Sequence, residues 1–133
     1  MKSYTDIEQS KKLAEILPLE SADMHYSTWT ILDCEFIVSP NQGSTIEDLQ
    51  EDYGNQIIPC WSLAALLGVL PNNEKETTTL SRGGWKIKPP EYIDNWWCEY
   101  EDESHTKDFT VSADDPIDAC YEMILKLHEL KML

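Results

Sequence analysis

Basic residues are scarce in this chain. Ten lysines and arginines stand against 25 aspartates and glutamates over 133 residues, a formal net charge of −15. From Leu13 through Glu74 there is no lysine or arginine, and between Glu91 and Asp115 nine acids face Lys107 alone. Recognition of a nucleic-acid backbone or an anionic membrane needs clustered cations, so direct binding to nucleic acid or membrane is not expected. A run of membrane length is missing too. Leu63 to Leu70 is the longest apolar stretch, enclosed by Pro59 and Pro71, where a spanning helix needs about 20 residues. The opening Met1-Lys-Ser-Tyr-Thr-Asp-Ile-Glu8 has no apolar signal core, which predicts a cytoplasmic protein.

The motifs of common chemistries are also lacking. Cys34, Cys60, Cys98 and Cys120 lie 26, 38 and 22 positions apart, and His25, His105 and His128 are scattered. Neither set has zinc spacing, so no metal and no cofactor is expected. Cytosolic thiols are expected to be reduced. Gly83-Gly84 follows Arg82 without the Lys-Ser/Thr and helix of a phosphate loop. There is no Gly-x-Ser-x-Gly elbow.

Carboxylates that share a strand face, Asp33 with Glu35 and Glu99 with Glu101 beside Asp102 and Glu103, have the type of donor that holds Mg²⁺ for hydrolysis. The Glu-x-Lys triplet of one nuclease class occurs only at Glu129-Leu-Lys131, at a helix end, and a basic substrate track is missing. Charge runs of this kind are usually solvated strand ends. The chain is therefore not expected to be an enzyme.

What is present argues for a folded domain. Apolar residues make up 41% of the chain and include five tryptophans, with six tyrosines and two phenylalanines. That composition is against disorder, and the length suits a single domain over 1–133 with one core. Thr5-x-x-Glu8 reads as a capping box opening a helix from Thr5 to Leu17, stopped by Pro18. His25 to Val38 holds one or two strands, and Ser39-Pro-Asn-Gln-Gly43 is a turn. Glu47 to Asp52 is a short helix or a surface excursion. Ile57-Ile58 is a short strand. Cys60 to Leu70 follows as a helix with Ser62 as possible N-cap, apolar nearly all round and so expected to be buried.

The rest reads as a β-meander. Thr77–Ser81 and Trp85–Lys88 flank the tight turn at Arg82-Gly83-Gly84. Tyr92 to Glu101 alternates, with Tyr92, Trp96, Cys98 and Tyr100 on one face and Ile93, Trp97, Glu99 and Glu101 on the other. Large aromatics on both faces predict that both are covered. Phe109 and Val111 belong to the last strand. Asp115 then caps a final helix with Pro116 at its first position and Asp118 in its first turn. Ile117, Cys120, Tyr121, Ile124, Leu127 and Leu130 form its apolar stripe. The fold class expected is α+β: a mainly antiparallel meander sheet between about three helices, an α/β/α-type sandwich.

Ile58-Pro59-Cys-Trp-Ser62-Leu-Ala-Ala-Leu-Leu67, followed by Ala113-Asp114-Asp115-Pro116-Ile-Asp-Ala119 and a closing helix, resembles the Phage ABA sandwich family. Gly83-Gly84-Trp85 and Asn95-Trp-Trp-Cys-Glu-Tyr-Glu-Asp102 are similar to stretches in short acidic proteins of mobile elements from gut bacteria. The resemblance covers roughly residues 5–17 and 57–131. It implies an α/β/α sandwich and a phage or prophage context, and it implies no activity.

Two surfaces are candidates for contact. Arg82, Trp85, Lys86, Lys88 and Trp97 combine aromatics with the local cations, the residue types of protein-binding hot spots. Trp61 and Trp96 are expected in the core instead. The acids Glu47, Asp48, Glu51, Asp52, Glu99, Glu101, Asp102, Glu103 and Asp108 form the second candidate. The expected function is that of an accessory protein of a phage or mobile element, a non-enzymatic module that binds a host or phage protein. An acidic DNA mimic that inhibits a nucleic-acid-binding protein is the alternative, and a carboxylate-based divalent-metal-dependent enzyme stands last. A homodimer through a sheet edge or the final helix is compatible with a domain of this size.

Overall fold

The computed structural model describes residues 2–28, 36–82 and 95–133. Among them are four α-helices and two three-stranded antiparallel sheets, an α+β fold. In chain order the elements are α1 (Ile7–Ala14), β1 (Met24–Thr28), β2 (Phe36–Pro40), α2 (Ile46–Tyr53), β3 (Ile57–Cys60), α3 (Leu63–Val69), β4 (Glu76–Arg82), β5 (Trp96–Asp102), β6 (Phe109–Ala113) and α4 (Pro116–Glu129). Where one meander sheet is expected from the sequence, the strands fall into two sheets, β2-β1-β3 and β4-β5-β6, and only the second is a meander. The chain divides into two compact units, Ser3–Ala65 and Leu66–Leu133 with the N-terminal Lys2.

The first unit is organised around a buried polar hub. Asp6, one residue later than expected, caps α1: its side chain accepts from the Gln9 amide at 2.8 Å while the Gln9 side chain accepts from the Asp6 amide. Thr5 is turned inward instead. Its hydroxyl pairs with Ser10 at 2.7 Å and accepts from the Trp61 amide at 3.2 Å. Its carbonyl accepts from the Tyr26 hydroxyl at 2.6 Å. Cys60 and Trp61, on and just after β3, are fully buried against this hub, and the Trp61 indole donates to Ser21 at 2.9 Å. Burial pushes both the Tyr26 hydroxyl and the Cys60 thiol up; at Cys60 it outweighs hydrogen bonds from Thr5, Ser10 and Tyr26.

Ser62 caps α3 as its type predicts, accepting from the Ala65 amide at 3.2 Å. The helix is less buried than its composition suggests. Leu66 is enclosed whereas Leu67 is 39% exposed. In a seven-residue helix only one stripe can face inward, and Leu66 with Leu70 supplies it.

In the second unit α4 packs on one face of β4-β5-β6. Asp115 caps it, accepting from the Ile117 amide at 2.9 Å, and its other carboxylate oxygen accepts from the Lys2 amide. Ile117, Cys120, Met123, Ile124 and Leu127 are buried with Cys98 and Tyr100 of β5. Leu130, expected in the same stripe, is the C-cap and 45% exposed. The opposite face of the sheet departs from expectation. Thr77, Thr79, Ser81, Thr110 and Ser112 are exposed around half-buried Trp97 and Glu99. Hydroxyl side chains tolerate water on that face, so no second apolar layer is required.

Tyr100 is a pH-sensitive point of this unit. Its hydroxyl donates to Glu76 at 2.7 Å. Burial, then that hydrogen bond and the negative charge of Glu76, push its pKa from 10.0 up to about 12. A raised phenol favours the neutral native form, so its contribution is complete below pH 10.0 and is lost as pH rises toward about 12. Denaturant titrations of wild type and Tyr100→Phe are expected to converge over that interval. Parallel curves would contradict the assignment.

Candidate functional site

Of the first candidate surface, Arg82 and Trp97 lie among the described residues. In the β4–β5 ladder Arg82 stands opposite Trp96, and its guanidinium lies 5.9 Å from that ring. Trp97 stands opposite Ser81 and Ser112 and points to the other face. Arg82 and Trp97 therefore do not share a surface. Trp96, expected in the core, is half-buried. Trp85, Lys86 and Lys88 lie outside the described residues, as do Asp33 and Glu35.

The acids form two groups, one in each unit. Glu99, Glu101, Asp102, Glu103 and Asp108 belong to β5 and the turn after it. Glu99 shares the hydroxyl-rich face with Trp97. Asp102 is committed to the turn: it accepts from the Thr106 amide at 2.9 Å, the Thr106 hydroxyl at 3.0 Å and the Ser104 hydroxyl at 3.3 Å. Desolvation pushes its carboxyl up, but hydrogen bonds from Thr106, Lys107 and Ser104 prevail and hold it below the usual range.

A cleft of about 650 Å³ opens beside this turn, lined by Lys75, Glu76, Tyr100, Asp102 and Lys107 among others. Sequence reasoning missed it, because Lys75 and Lys107 are far apart in the chain and converge only through the β4–β5 pairing. Its charges are mixed, and Glu76 and Asp102 are already hydrogen-bonded within the fold. Among the described residues no group of three or more His, Cys, Asp or Glu side chains is placed to hold a metal ion. No buried polar side-chain atom among them lacks a partner.

The second acidic group is more coherent. Thr45 caps α2, accepting from the Asp48 amide at 3.1 Å. Ile46 is buried and Leu49 and Gln50 are half-buried, which fixes the inward side. At about 100° per residue Glu47, Asp48, Glu51 and Asp52 fill the opposite arc, and all four are exposed. None of them makes an ion pair among the described residues. Tyr53 ends the helix at 60% exposure. Gly54, at φ +63°, turns the chain there in a conformation that a side chain disfavours. Tyr53 is the residue the sequence reading passed over; an aromatic placed between an acid run and a glycine was the available signal.

Glu47 and Asp48 in the first turn suit the helix dipole, whereas the acids that follow them oppose the helix. Glu47–Glu51 and Asp48–Asp52 are like-charge pairs at i,i+4, each destabilising by about 0.2–0.5 kcal/mol, and Asp52 sits at the negative end of the helix dipole. Glu51→Gln with Asp52→Asn is expected to stabilise the protein by about 0.5–1 kcal/mol. Urea midpoints of the two proteins check this, and a lower midpoint in the variant would contradict it.

No family model, curated protein or solved structure matches this chain. Among the described residues no helix is long and apolar enough to cross a membrane.

Proposed function

We propose that the chain is a non-enzymatic protein-binding module that docks the acidic face of α2, together with the exposed Tyr53 at the helix's C-terminal end, on a basic surface of a host or phage protein. The observation that carries this reading is four exposed carboxylates on one arc of a single helix, without an ion pair among the described residues, in a helix that ends in a tyrosine 60% exposed. Tyrosine is a frequent hot-spot residue at protein interfaces, and a carboxylate rim steers a cationic partner. The phage or mobile-element context rests on the resemblance of Ile58–Leu67 and Ala113–Ala119 to the phage family, and of Gly83–Trp85 and Asn95–Asp102 to proteins of mobile elements.

The DNA-mimic reading draws on these four acids and on the run Glu99 to Asp108. It ranks second because an eight-residue helix spans only about 12 Å, a short track against the charge repeat of a duplex. Affinity capture from host lysate with salt-gradient elution separates the two. A partner held partly by Tyr53 stays bound at salt that releases a purely electrostatic one. Release of a nucleic-acid-binding protein at moderate salt, with no effect of Tyr53→Ala, would replace the first reading by the second.

A further inference from the structure

In a chain with few cations, the cleft beside the β5–β6 turn gathers two of them. Its volume of about 650 Å³ falls in the range of small-molecule sites. A second hollow of about 340 Å³ adjoins it, since Lys107 and Met132 line both. Tyr100 of the first and Phe109 of the second stand opposite each other across β5 and β6, their rings stacked with centroids 5.9 Å apart. The two hollows therefore share an aromatic floor, and both lie wholly within the second unit.

Hydrogen bonds set the walls. The Lys75 carbonyl accepts from the Glu103 amide at 2.7 Å, which holds Lys75 beside the turn that carries Lys107. Asp102 fixes that turn through Thr106 and Ser104. At the end of α4 the Met132 amide donates to the Leu127 carbonyl at 2.8 Å and the Lys131 amide to the His128 carbonyl at 3.0 Å, with Lys131 at φ +59°. This is the closure of a helix end by a left-handed residue, and it turns Met132 back toward the hollows. The acids there are mostly engaged. Glu76 accepts from Tyr100 and Asn73, Asp102 from Thr106 and Ser104, and Asp108 lies 3.4 Å from His105. Among the described residues the side chains of Lys75, Lys107 and Glu103 make neither a hydrogen bond nor an ion pair. Two cations and one acid are thus left for a ligand. Beside them Phe109 and Met132 are half-buried and Leu130 is 45% exposed.

We propose that the paired hollows bind a small amphipathic carboxylate, its head between Lys75 and Lys107 and its hydrocarbon chain along Phe109, Leu130 and Met132. Two lysines beside one free glutamate suit a head of a single negative charge. A phosphate head would meet Glu103 and the fixed charges of Glu76 and Asp102 with twice the repulsion. The hydrocarbon chain takes the apolar surface of Leu130 and Met132 out of water, which supplies most of the affinity. The lysines then select the sign of the head, because a cationic head would be set against them.

Titration of the full chain with decanoate, followed by NMR at the Met132 and Leu130 methyl groups, tests this. Saturable shifts at both are expected, with acetate about a hundredfold weaker for want of a chain. Decylammonium, with the same chain and the opposite head, is expected to bind about tenfold more weakly than decanoate. Lys75→Gln combined with Lys107→Gln is expected to weaken decanoate about tenfold and to erase its preference over decylammonium. No saturable shift at these methyl groups, equal decanoate affinity in the double variant, or a preference of the wild type for decylammonium would overturn the proposal. Both lysines are exposed, so the variant is expected to keep the fold. If its circular dichroism differs from that of the wild type, the comparison of the two heads on wild-type protein decides instead: decanoate the tighter ligand supports the proposal, and equal or reversed affinities overturn it.

Discussion

Trp61→Ala is expected to destabilise the protein by about 3–5 kcal/mol, a large part of the roughly 5–15 kcal/mol that holds a domain together. The indole is fully buried, so its removal leaves a cavity where the surroundings are already committed. The Trp61 carbonyl accepts from the Thr5 amide at 2.9 Å, its amide donates to the Thr5 hydroxyl, and its indole donates to Ser21. The backbone bonds survive truncation and the Ser21 bond does not, so most of the loss is packing. Trp61→Phe retains most of the volume and is expected to cost about 1–2 kcal/mol. Urea denaturation of the three proteins checks the order; equal midpoints for wild type and Trp61→Ala would remove Trp61 from the core.

The second large effect concerns binding. Tyr53→Ala is expected to weaken the captured partner at least tenfold, the scale of a hot-spot truncation. The four neutralisations Glu47→Gln, Asp48→Asn, Glu51→Gln and Asp52→Asn are expected to slow association and flatten its salt dependence. Both variants remain folded on this account, because Tyr53 is 60% exposed and the acids make no ion pair among the described residues. Biolayer kinetics at two ionic strengths separate the effects. A Tyr53→Ala variant that binds like wild type would confine recognition to charge.

The elements that were legible in the sequence are those whose determinants are local. Asp115-Pro116 and the stripe at Ile117, Cys120, Ile124 and Leu127 specify α4 without help from the rest of the chain. The alternation of Trp96, Cys98 and Tyr100 likewise identifies the inward face of β5. Errors arose where a long-range partner decides. Thr5 and Asp6 both suit an N-cap, and Asp6 takes the position because the Thr5 hydroxyl is held by Ser10 and the Trp61 amide, 56 residues away. The separation into two sheets rests on β1 pairing with both β2 and β3, which no short-range pattern encodes. For the site, the acid run was visible but its meaning was not. Only the buried position of Ile46 shows that all four acids lie on the outer arc, and the convergence of Lys75 with Lys107 needs the β4–β5 register.

The central claim, that α2 presents the contact surface, is tested most directly by photocrosslinking from position 53. A photoreactive phenylalanine analogue placed there should give one discrete adduct in host lysate. Excess wild-type protein should compete it away, and the four-fold neutralised variant should not. No adduct from position 53, with a competed adduct from the same group at exposed Thr77 on the sheet face, would contradict the account and move the surface to the β4-β5-β6 unit.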